Sequence, residues 1–273
     1  MPTLHTLIEW ARDWFLAAYF TRLSQPGSAY KITWNMVAPE VSSFKAVTGT
    51  SKEAGAASEN QIASRAGRHI AELACLILLI ETVMWIVPLM PNPRLAYTYV
   101  AILIIMLLVV THLRDRLTVR SVGIRFDNFL PVLARVAMPL GLFVAAMILI
   151  GIWAGSLRLG ERFISMLLFV PVWAMIQQYM LFGFAYRRFR ALLGPGTPSV
   201  VASTALFSLI HLPNPILTVV CAYGGYIWSR TYDREPNLIV HALTHGIASA
   251  VLANSLPGWL LKNMVVGYNY FFR

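Results

Sequence analysis

Long apolar runs separated by short basic clusters are the main pattern of this sequence. The runs cover residues 73–90, 95–113, 129–154, 163–186, 198–213, 215–229 and 237–256. A helix needs about 20 mainly apolar residues to cross the hydrocarbon core of a bilayer, and most of these runs are of that order. Pro139 lies inside the third run and predicts a kink there. The pattern predicts an all-α, polytopic membrane protein with about seven transmembrane helices.

The residues before the first run follow a different pattern. Within residues 1–39, apolar side chains recur at helical spacing while charged residues lie off that face, which is typical of an amphipathic helix in the membrane interface. Residues 40–70 are rich in Ser, Ala, Gly, Lys and Glu and show little periodicity, so they predict a flexible linker. Residues 71–273 are the predicted transmembrane domain. Its aromatic tail, from residue 257 onward, predicts an interfacial segment or an eighth span.

Composition and charge agree with a membrane location. Of the 273 residues, 58% are hydrophobic and only 12% are charged, whereas a soluble domain carries about 25% charged residues. A net charge of +10 would suit a nucleic-acid partner, but the basic residues lie in clusters between the apolar runs. A cytoplasmic N-terminus places 16 of the 22 Lys and Arg residues on the cytoplasmic side, as the positive-inside rule requires. We therefore expect the lipid bilayer, and no nucleic acid, as a partner.

Polar side chains inside the apolar runs mark candidate sites, because each is costly at membrane depth unless it has a partner. These side chains are Glu81, Gln177, Gln178, His211, His241 and His245. His241 and His245 are four residues apart and share one helix face. Gln178 and His245 each lie roughly 12 Å deep and His211 lies nearer about 20 Å, from the helical rise per residue. Such groups also serve as packing contacts between helices, but two glutamines and three histidines from three separate runs favour one buried site.

Three short motifs resemble those of the Rce1-type CAAX prenyl proteases and their bacterial relatives, also called the CPBP or Abi family. The family motifs are Glu-Glu-x-x-x-Arg, Phe-x-x-x-His and His-x-x-x-Asn or similar. In this sequence they read, in the same order, Gln177-Gln178 with Phe182, Phe207 with His211, and His241 with His245. The resemblance covers about residues 115–255. It implies an intramembrane endopeptidase with a membrane-anchored protein or peptide as substrate or partner, in the inner membrane of a bacterium.

The resemblance also implies roles for these residues. In active relatives, a glutamate of the first motif, helped by the second-motif histidine, is thought to activate water, and the third motif is thought to stabilise the oxyanion. Carried over, His211 is the partner of the base, and His241 and His245 are oxyanion donors. Gln177 and Gln178 stand at the carboxylate positions, and an amide cannot accept a proton near neutral pH. The glutamines therefore put the usual mechanism, and catalysis itself, in question.

The missing carboxylates leave three hypotheses. In the first, the protein is an intramembrane peptidase in which His211 acts alone as base or Glu81 supplies the missing carboxylate. In the second, it is a non-catalytic scaffold or regulator that binds a partner helix. In the third, His211, His241 and His245 bind zinc, although the zinc-peptidase motif requires a Glu directly after its first histidine and this sequence lacks it. We favour the peptidase family, and we expect no metal and no other cofactor.

Overall fold

The computed structural model describes residues 51–272, and the interfacial helix predicted within residues 1–39 lies outside them. The described residues form helices and contain no β-strand. The helices are α1 Ser51–Glu81, α2 Pro93–Arg114, α3 Phe129–Trp153, α4 Glu161–Gln178, α5 Arg187–Leu193, α6 Thr197–Leu209, α7 Pro215–Tyr232, α8 Leu238–Ser255, α9 Gly258–Leu261 and α10 Asn269–Phe272. Wider π-helical turns continue α1 over Thr82–Ile86 and α4 over Tyr179–Tyr186.

Five helical stretches among the described residues are long and apolar enough to cross a membrane. They are Ala63–Leu89, Pro93–Arg114, Phe129–Trp153, Glu161–Leu193 and Leu238–Ser255. They coincide with the first four and the last of the predicted runs, so an all-helical membrane protein is confirmed. The count of seven or eight spans stays a prediction. The two remaining runs form α6, which has 13 residues, and α7, a continuous helix whose apolar sequence is interrupted by glycine and polar residues.

The structure differs from the sequence-based prediction over residues 51–70. These residues are helical and belong to α1, whereas the sequence predicts part of a flexible linker. The segment contains no proline, and more than half of its residues are Ala, Glu, Gln, Lys or Arg, which favour the helix even without an apolar stripe. Helix propensity, rather than apolar periodicity, thus indicates the structure of this segment, and the first membrane span continues the same helix.

Helix α8 lies at the centre of the bundle and carries two of the candidate histidines. Some 78% of its span is buried inside the protein. It packs antiparallel to α4, and the approach is so close that a Cβ on Gly246 would lie 2.4 Å from Cγ of Pro171. On another side, α3 meets α8 where a Cβ on Gly151 would lie 2.9 Å from the Ser255 carbonyl oxygen. Polar residues on α8 are therefore enclosed by neighbouring helices.

Candidate active site

Gln178 on α4 and His245 on α8 form the centre of the candidate site. Both are buried, with 0% and 1% of their surface exposed, and Nε2 of Gln178 lies 3.3 Å from Nδ1 of His245. An amide nitrogen only donates, so Nδ1 of His245 is the acceptor. The neutral ring then carries its proton on Nε2. The two residues that the sequence places at the same depth are in contact.

His211 lies in the turn between α6 and α7 and is fully buried. Its Nδ1 donates to the carbonyl oxygen of Phe207, which fixes the proton on Nδ1 and leaves a lone pair on Nε2. That Nε2 is buried and has no hydrogen-bond partner. His211 and His245 lie within electrostatic range of each other. The two rings therefore hold opposite neutral tautomers, one with a lone pair on Nε2 and one with an N–H there.

His241 lies one helical turn from His245, in an aromatic environment. Its ring centroid is 6.2 Å from that of Phe182 and 6.0 Å from that of Tyr232. Both of its ring nitrogens are buried without a hydrogen-bond partner. Phe182, which stands where the family motif has arginine, is itself fully buried. His241 thus faces an aromatic layer, and no described hydrogen bond joins it to Gln178, His211 or His245.

The other two predicted site residues are less central. Gln177 is half-buried on α4, and its Oε1 has no partner. Glu81 is half-buried near the end of α1 and shares a hydrogen bond with Trp85, one turn further on. Within the described part of the chain, no hydrogen bond or ion pair links Glu81 to a histidine of the site. The idea that Glu81 supplies the missing carboxylate gains no support.

Trp228 and Thr244 form a wall of the site that the sequence patterns did not reveal. The indole Nε1 of Trp228 donates to Oγ1 of Thr244 at 3.0 Å, and its ring centroid lies 5.7 Å from that of His245. A Cβ on Gly224 would lie 2.6 Å from the Trp228 ring, so only glycine leaves room for the indole in this position. The sequence signal that could have indicated this wall is Thr244, a polar residue directly before His245.

The acidic residues nearest in sequence to the site are engaged elsewhere. Asp233 accepts a hydrogen bond from the Tyr186 hydroxyl at 2.7 Å, and Glu235 pairs with Arg135. No group of three or more His, Cys, Asp or Glu side chains within residues 51–272 is placed to hold a metal ion. The three-histidine zinc hypothesis therefore gains no support either. The site is a buried, neutral set of amide and imidazole groups.

A family model described as type II CAAX prenyl endopeptidase, Rce1-like, matches residues 159–251. Over this segment, about a third of the chain, the sequence is similar to the Rce1-like family. The match confirms the resemblance inferred from the three motifs, over a shorter stretch than the predicted 115–255. No curated protein and no solved structure matches the chain.

The Rce1-like segment contains every glutamine and histidine of the candidate site and runs from just before α4 to the middle of α8. Glu81 lies outside it, as do the residues after position 251. The family match therefore coincides with the buried neutral site.

Proposed function

We propose that this protein is a CAAX protease-like intramembrane endopeptidase that cleaves a membrane-anchored peptide at a neutral, histidine-based site. The observation that supports this proposal is the pair of opposite tautomers on His211 and His245, each buried within the Rce1-like segment. Hydrolysis of a peptide bond needs an acceptor for the proton of water and a donor for the carbonyl oxygen. The two rings offer one of each.

In the proposed reaction, Nε2 of His211 accepts a proton from water as the water oxygen attacks the peptide carbonyl carbon. The N–H of His245 donates to the carbonyl oxygen, where negative charge develops. The imidazolium of His211 then returns the proton to the leaving amine. The amide of Gln178 acts on His245, because its hydrogen bond to Nδ1 holds the ring in the donor form.

Burial strengthens both interactions. Hydrogen-bond donors in a site without water stabilise a developing charge more than the same donors do in solution. Each buried polar atom without a partner costs about 1–3 kcal/mol, and such atoms include Gln178 Oε1, His211 Nε2 and both nitrogens of His241. A peptide backbone, with its alternating N–H and C=O groups, is a ligand that can satisfy them.

The location within a helical bundle supports a substrate that is anchored in the same membrane. The distribution of basic residues supports a cytoplasmic N-terminus, and the basic loop that follows α2 and the arginine-rich helix α5 then face the cytoplasm. We propose that the cleaved peptide reaches the site from the membrane. Substrate and enzyme then share the bilayer as their common environment.

The test is cleavage of peptides with a hydrophobic anchor by purified protein in liposomes, followed by mass spectrometry. We expect His211→Ala to lower kcat/KM by about 100-fold or more, because general base catalysis contributes about 10²–10⁴-fold. His69→Ala is the matched control, since His69 lies on α1 beside Glu72, and we expect it to cleave at the wild-type rate. Equal cleavage by wild type and His211→Ala would exclude the proposed base.

A second function, binding without cleavage, is favoured by one observation. The site contains no carboxylate, and Phe182 fills the position of the family arginine. In that case wild type captures the anchored peptide by crosslinking but releases no product. The triple variant Gln177→Glu, Gln178→Glu, Phe182→Arg restores the complete first motif. If the triple variant cleaves the peptide and wild type does not, the result would support the second function, a binding protein that lacks the catalytic charges.

A further inference from the structure

The segment after α8, residues 257–272, packs against the turn that holds His211, and we call it the strap. It lies outside the Rce1-like segment. The link between them is the side chain of Asn214, whose Nδ2 donates to the carbonyl oxygens of Leu261 at 2.9 Å and Val265 at 3.1 Å. One fully buried amide therefore holds two successive parts of the strap.

Asn214 also fixes the turn itself. Its backbone N–H donates to the carbonyl oxygen of His211 at 3.0 Å. Its Oδ1 accepts from the backbone N–H of Leu217 at 3.1 Å and so caps the N-terminus of α7. Asn214 thus connects His211, the start of α7 and the strap. A displacement of one of these parts therefore strains the hydrogen bonds that hold the other two.

A second connection fastens the strap from the opposite side. Gly267 N–H donates to the Leu212 carbonyl oxygen at 3.4 Å, and Tyr268 N–H donates to the Met84 carbonyl oxygen at 3.0 Å. Met84 lies in the π-helical turn of α1. Gly267 has a φ of +61°, and a Cβ there would lie 2.5 Å from the Met84 oxygen. Only glycine can occupy this position while the strap stays docked.

The backbone of the strap is held in an unfavourable conformation between these two connections. Lys262, Asn263 and Met264 have φ values of 50°, 51° and 62°, although left-handed backbone is disfavoured for residues with a Cβ. Such a conformation persists where the surroundings determine it. Here it turns the chain so that the carbonyl groups before and after the three residues, on Leu261 and Val265, both reach Asn214.

The depth of the turn explains why it needs such partners. Helix α6 has 13 residues and rises about 20 Å, less than the thickness of a hydrocarbon core, about 30 Å. A helix of this length that starts at the membrane surface ends inside the hydrocarbon core, and so does the turn after it. Non-helical backbone is tolerated there only where protein satisfies its polar groups. The strap provides one such partner, because Gly267 N–H donates to the Leu212 carbonyl oxygen.

We infer that Asn214 and the strap are the device that positions His211. By holding the turn, they keep Nδ1 of His211 on the Phe207 carbonyl oxygen and Nε2 buried, within electrostatic range of His245. Asn214 and Gly267 are positioning residues that act through His211. The inference rests on the proposed function in one respect only: catalysis is the reason why His211 needs a fixed position. The positioning itself is measurable without a substrate.

The experiment is histidine labelling by diethyl pyrocarbonate on the purified full chain in micelles, with the rate at each histidine read by mass spectrometry. Asn214→Ser keeps a hydroxyl that caps α7 but is too short to reach the strap. Gly267→Ala is designed to displace the strap from its position while residue 214 is still asparagine. Asn237→Ser is the matched control, because Asn237 caps α8 through Val240 N–H at 3.0 Å and donates to the Arg125 carbonyl oxygen at 2.9 Å.

We expect His211 to be labelled about tenfold faster in Asn214→Ser and in Gly267→Ala than in wild type, since each loses buried hydrogen bonds that keep the turn closed. His245 should keep its wild-type rate in both variants, and Asn237→Ser should leave His211 protected. A ¹⁵N-histidine spectrum should also show His211 shifting from the Nδ1–H towards the Nε2–H tautomer in the first two variants only.

Two results would overturn the inference. In one, His211 stays as protected in Asn214→Ser and Gly267→Ala as in wild type. In the other, His211 and His245 become reactive together in all three variants, which indicates general loosening of the bundle. A failure of the proposed peptidase function has a different signature, because peptides then stay uncleaved while the labelling pattern of His211 follows the strap as expected.

Discussion

Two buried polar regions of this protein solve the problem of polar groups in an apolar interior in opposite ways. At the end of the bundle that carries the basic loops, Arg188 is only 2% exposed. It lies 2.9 Å from Glu72 and 3.1 Å from Asp115, and Arg114 also pairs with both acids. We call these four residues the ion cluster. In the candidate site, by contrast, the polar residues include no carboxylate. We call these residues, Gln178, His211, His241 and His245, the neutral layer.

The difference shows where this protein can keep a charge. A buried charge costs several kcal/mol unless it is paired and hydrogen-bonded, and the ion cluster meets that condition with two acids and two arginines. The neutral layer has no counter-charge, because Phe182 stands in place of the family arginine and glutamines stand in place of the glutamates. A single carboxylate there would lack a partner. Neutral residues at all three motif positions, Gln177, Gln178 and Phe182, are therefore consistent with one another.

The largest effect is expected when the ion cluster is broken at its centre. Arg188→Ala leaves Glu72 and Asp115 with Arg114 as their close partner, since Arg68 lies 3.9 Å from Glu72, and removal of one partner from a buried pair costs about 3–5 kcal/mol. We expect the free energy of unfolding, measured by denaturant titration in micelles, to fall by about this amount. The neutral layer should lose its structure only in the same cooperative step.

The matched control for this variant is Arg120→Ala. Arg120 pairs with Asp127 at 2.8 Å, but its side chain is 69% exposed, and exposed pairs contribute about 0–1 kcal/mol. If Arg188→Ala and Arg120→Ala lower the unfolding free energy equally, the ion cluster does not stabilise the bundle through its burial. The contrast between the two regions would then lose its energetic basis.

An intermediate effect is expected when the neutral layer is pushed apart. Gly246→Ala places a methyl group against Pro171 where the backbones of α4 and α8 meet, and overpacking of this kind costs about 1–3 kcal/mol. Gln178 and His245 lie on these two helices, so their hydrogen bond should weaken as well. We expect a lower unfolding free energy and a shifted ¹⁵N resonance of His245.

Gly141→Ala separates packing from helix propensity. Gly141 lies in α3, and a Cβ there would have nothing within 4 Å. Alanine at an open helical position stabilises by about 0.5–1 kcal/mol relative to glycine. Opposite signs for Gly246→Ala and Gly141→Ala would show that the neutral layer depends on close packing. Two changes of the same sign would contradict this.

The sequence predicted the membrane fold well because span length and hydrophobicity are local properties. The predicted run 95–113 corresponds to α2 Pro93–Arg114 and the run 129–154 to α3 Phe129–Trp153. The contact between Gln178 and His245 also followed from depth along two helices. For His211, counting residues along a helix does not give the depth, because α6 ends at Leu209 and a turn, which has no fixed rise per residue, carries the histidine.

The ion cluster and the strap could not be predicted in the same way. Glu72 and Arg188 are 116 residues apart, and the charge pattern alone counts Arg188 among the loop residues that face water. Sequence reasoning singled out Glu81 as the acidic residue in the first span, whereas Glu72 is the one that pairs. Likewise, Asn214 follows His211 closely in sequence, but its bonds to Leu261 and Val265 depend on a left-handed turn.

The smallest expected effect concerns acid stability, and Asp115 is the residue that decides it. Burial alone would raise the pKa of Asp115, but the hydrogen bond from Arg114 and the charges of Arg188 and Arg114 outweigh burial and hold that pKa below its ordinary value. A carboxyl whose pKa is lower in the folded than in the unfolded state stabilises the fold at pH values above the unfolded pKa, about 3.9. That stability is lost as the pH falls through the folded pKa.

The prediction is therefore a convergence of the two curves of unfolding free energy against pH, for wild type and Asp115→Asn, as the pH falls. Asp115→Asn should lower the unfolding free energy by less than about 1 kcal/mol near pH 6, since this pair is partly exposed, and the gap from wild type should close below about pH 4. Asp127→Asn serves as the comparison, because Arg125 lowers the pKa of Asp127 to about 2 at a site outside the ion cluster. If the Asp115→Asn gap stays constant between pH 6 and pH 3, Asp115 contributes by packing rather than by charge. The ion cluster would then resemble the neutral layer more closely than its charges indicate.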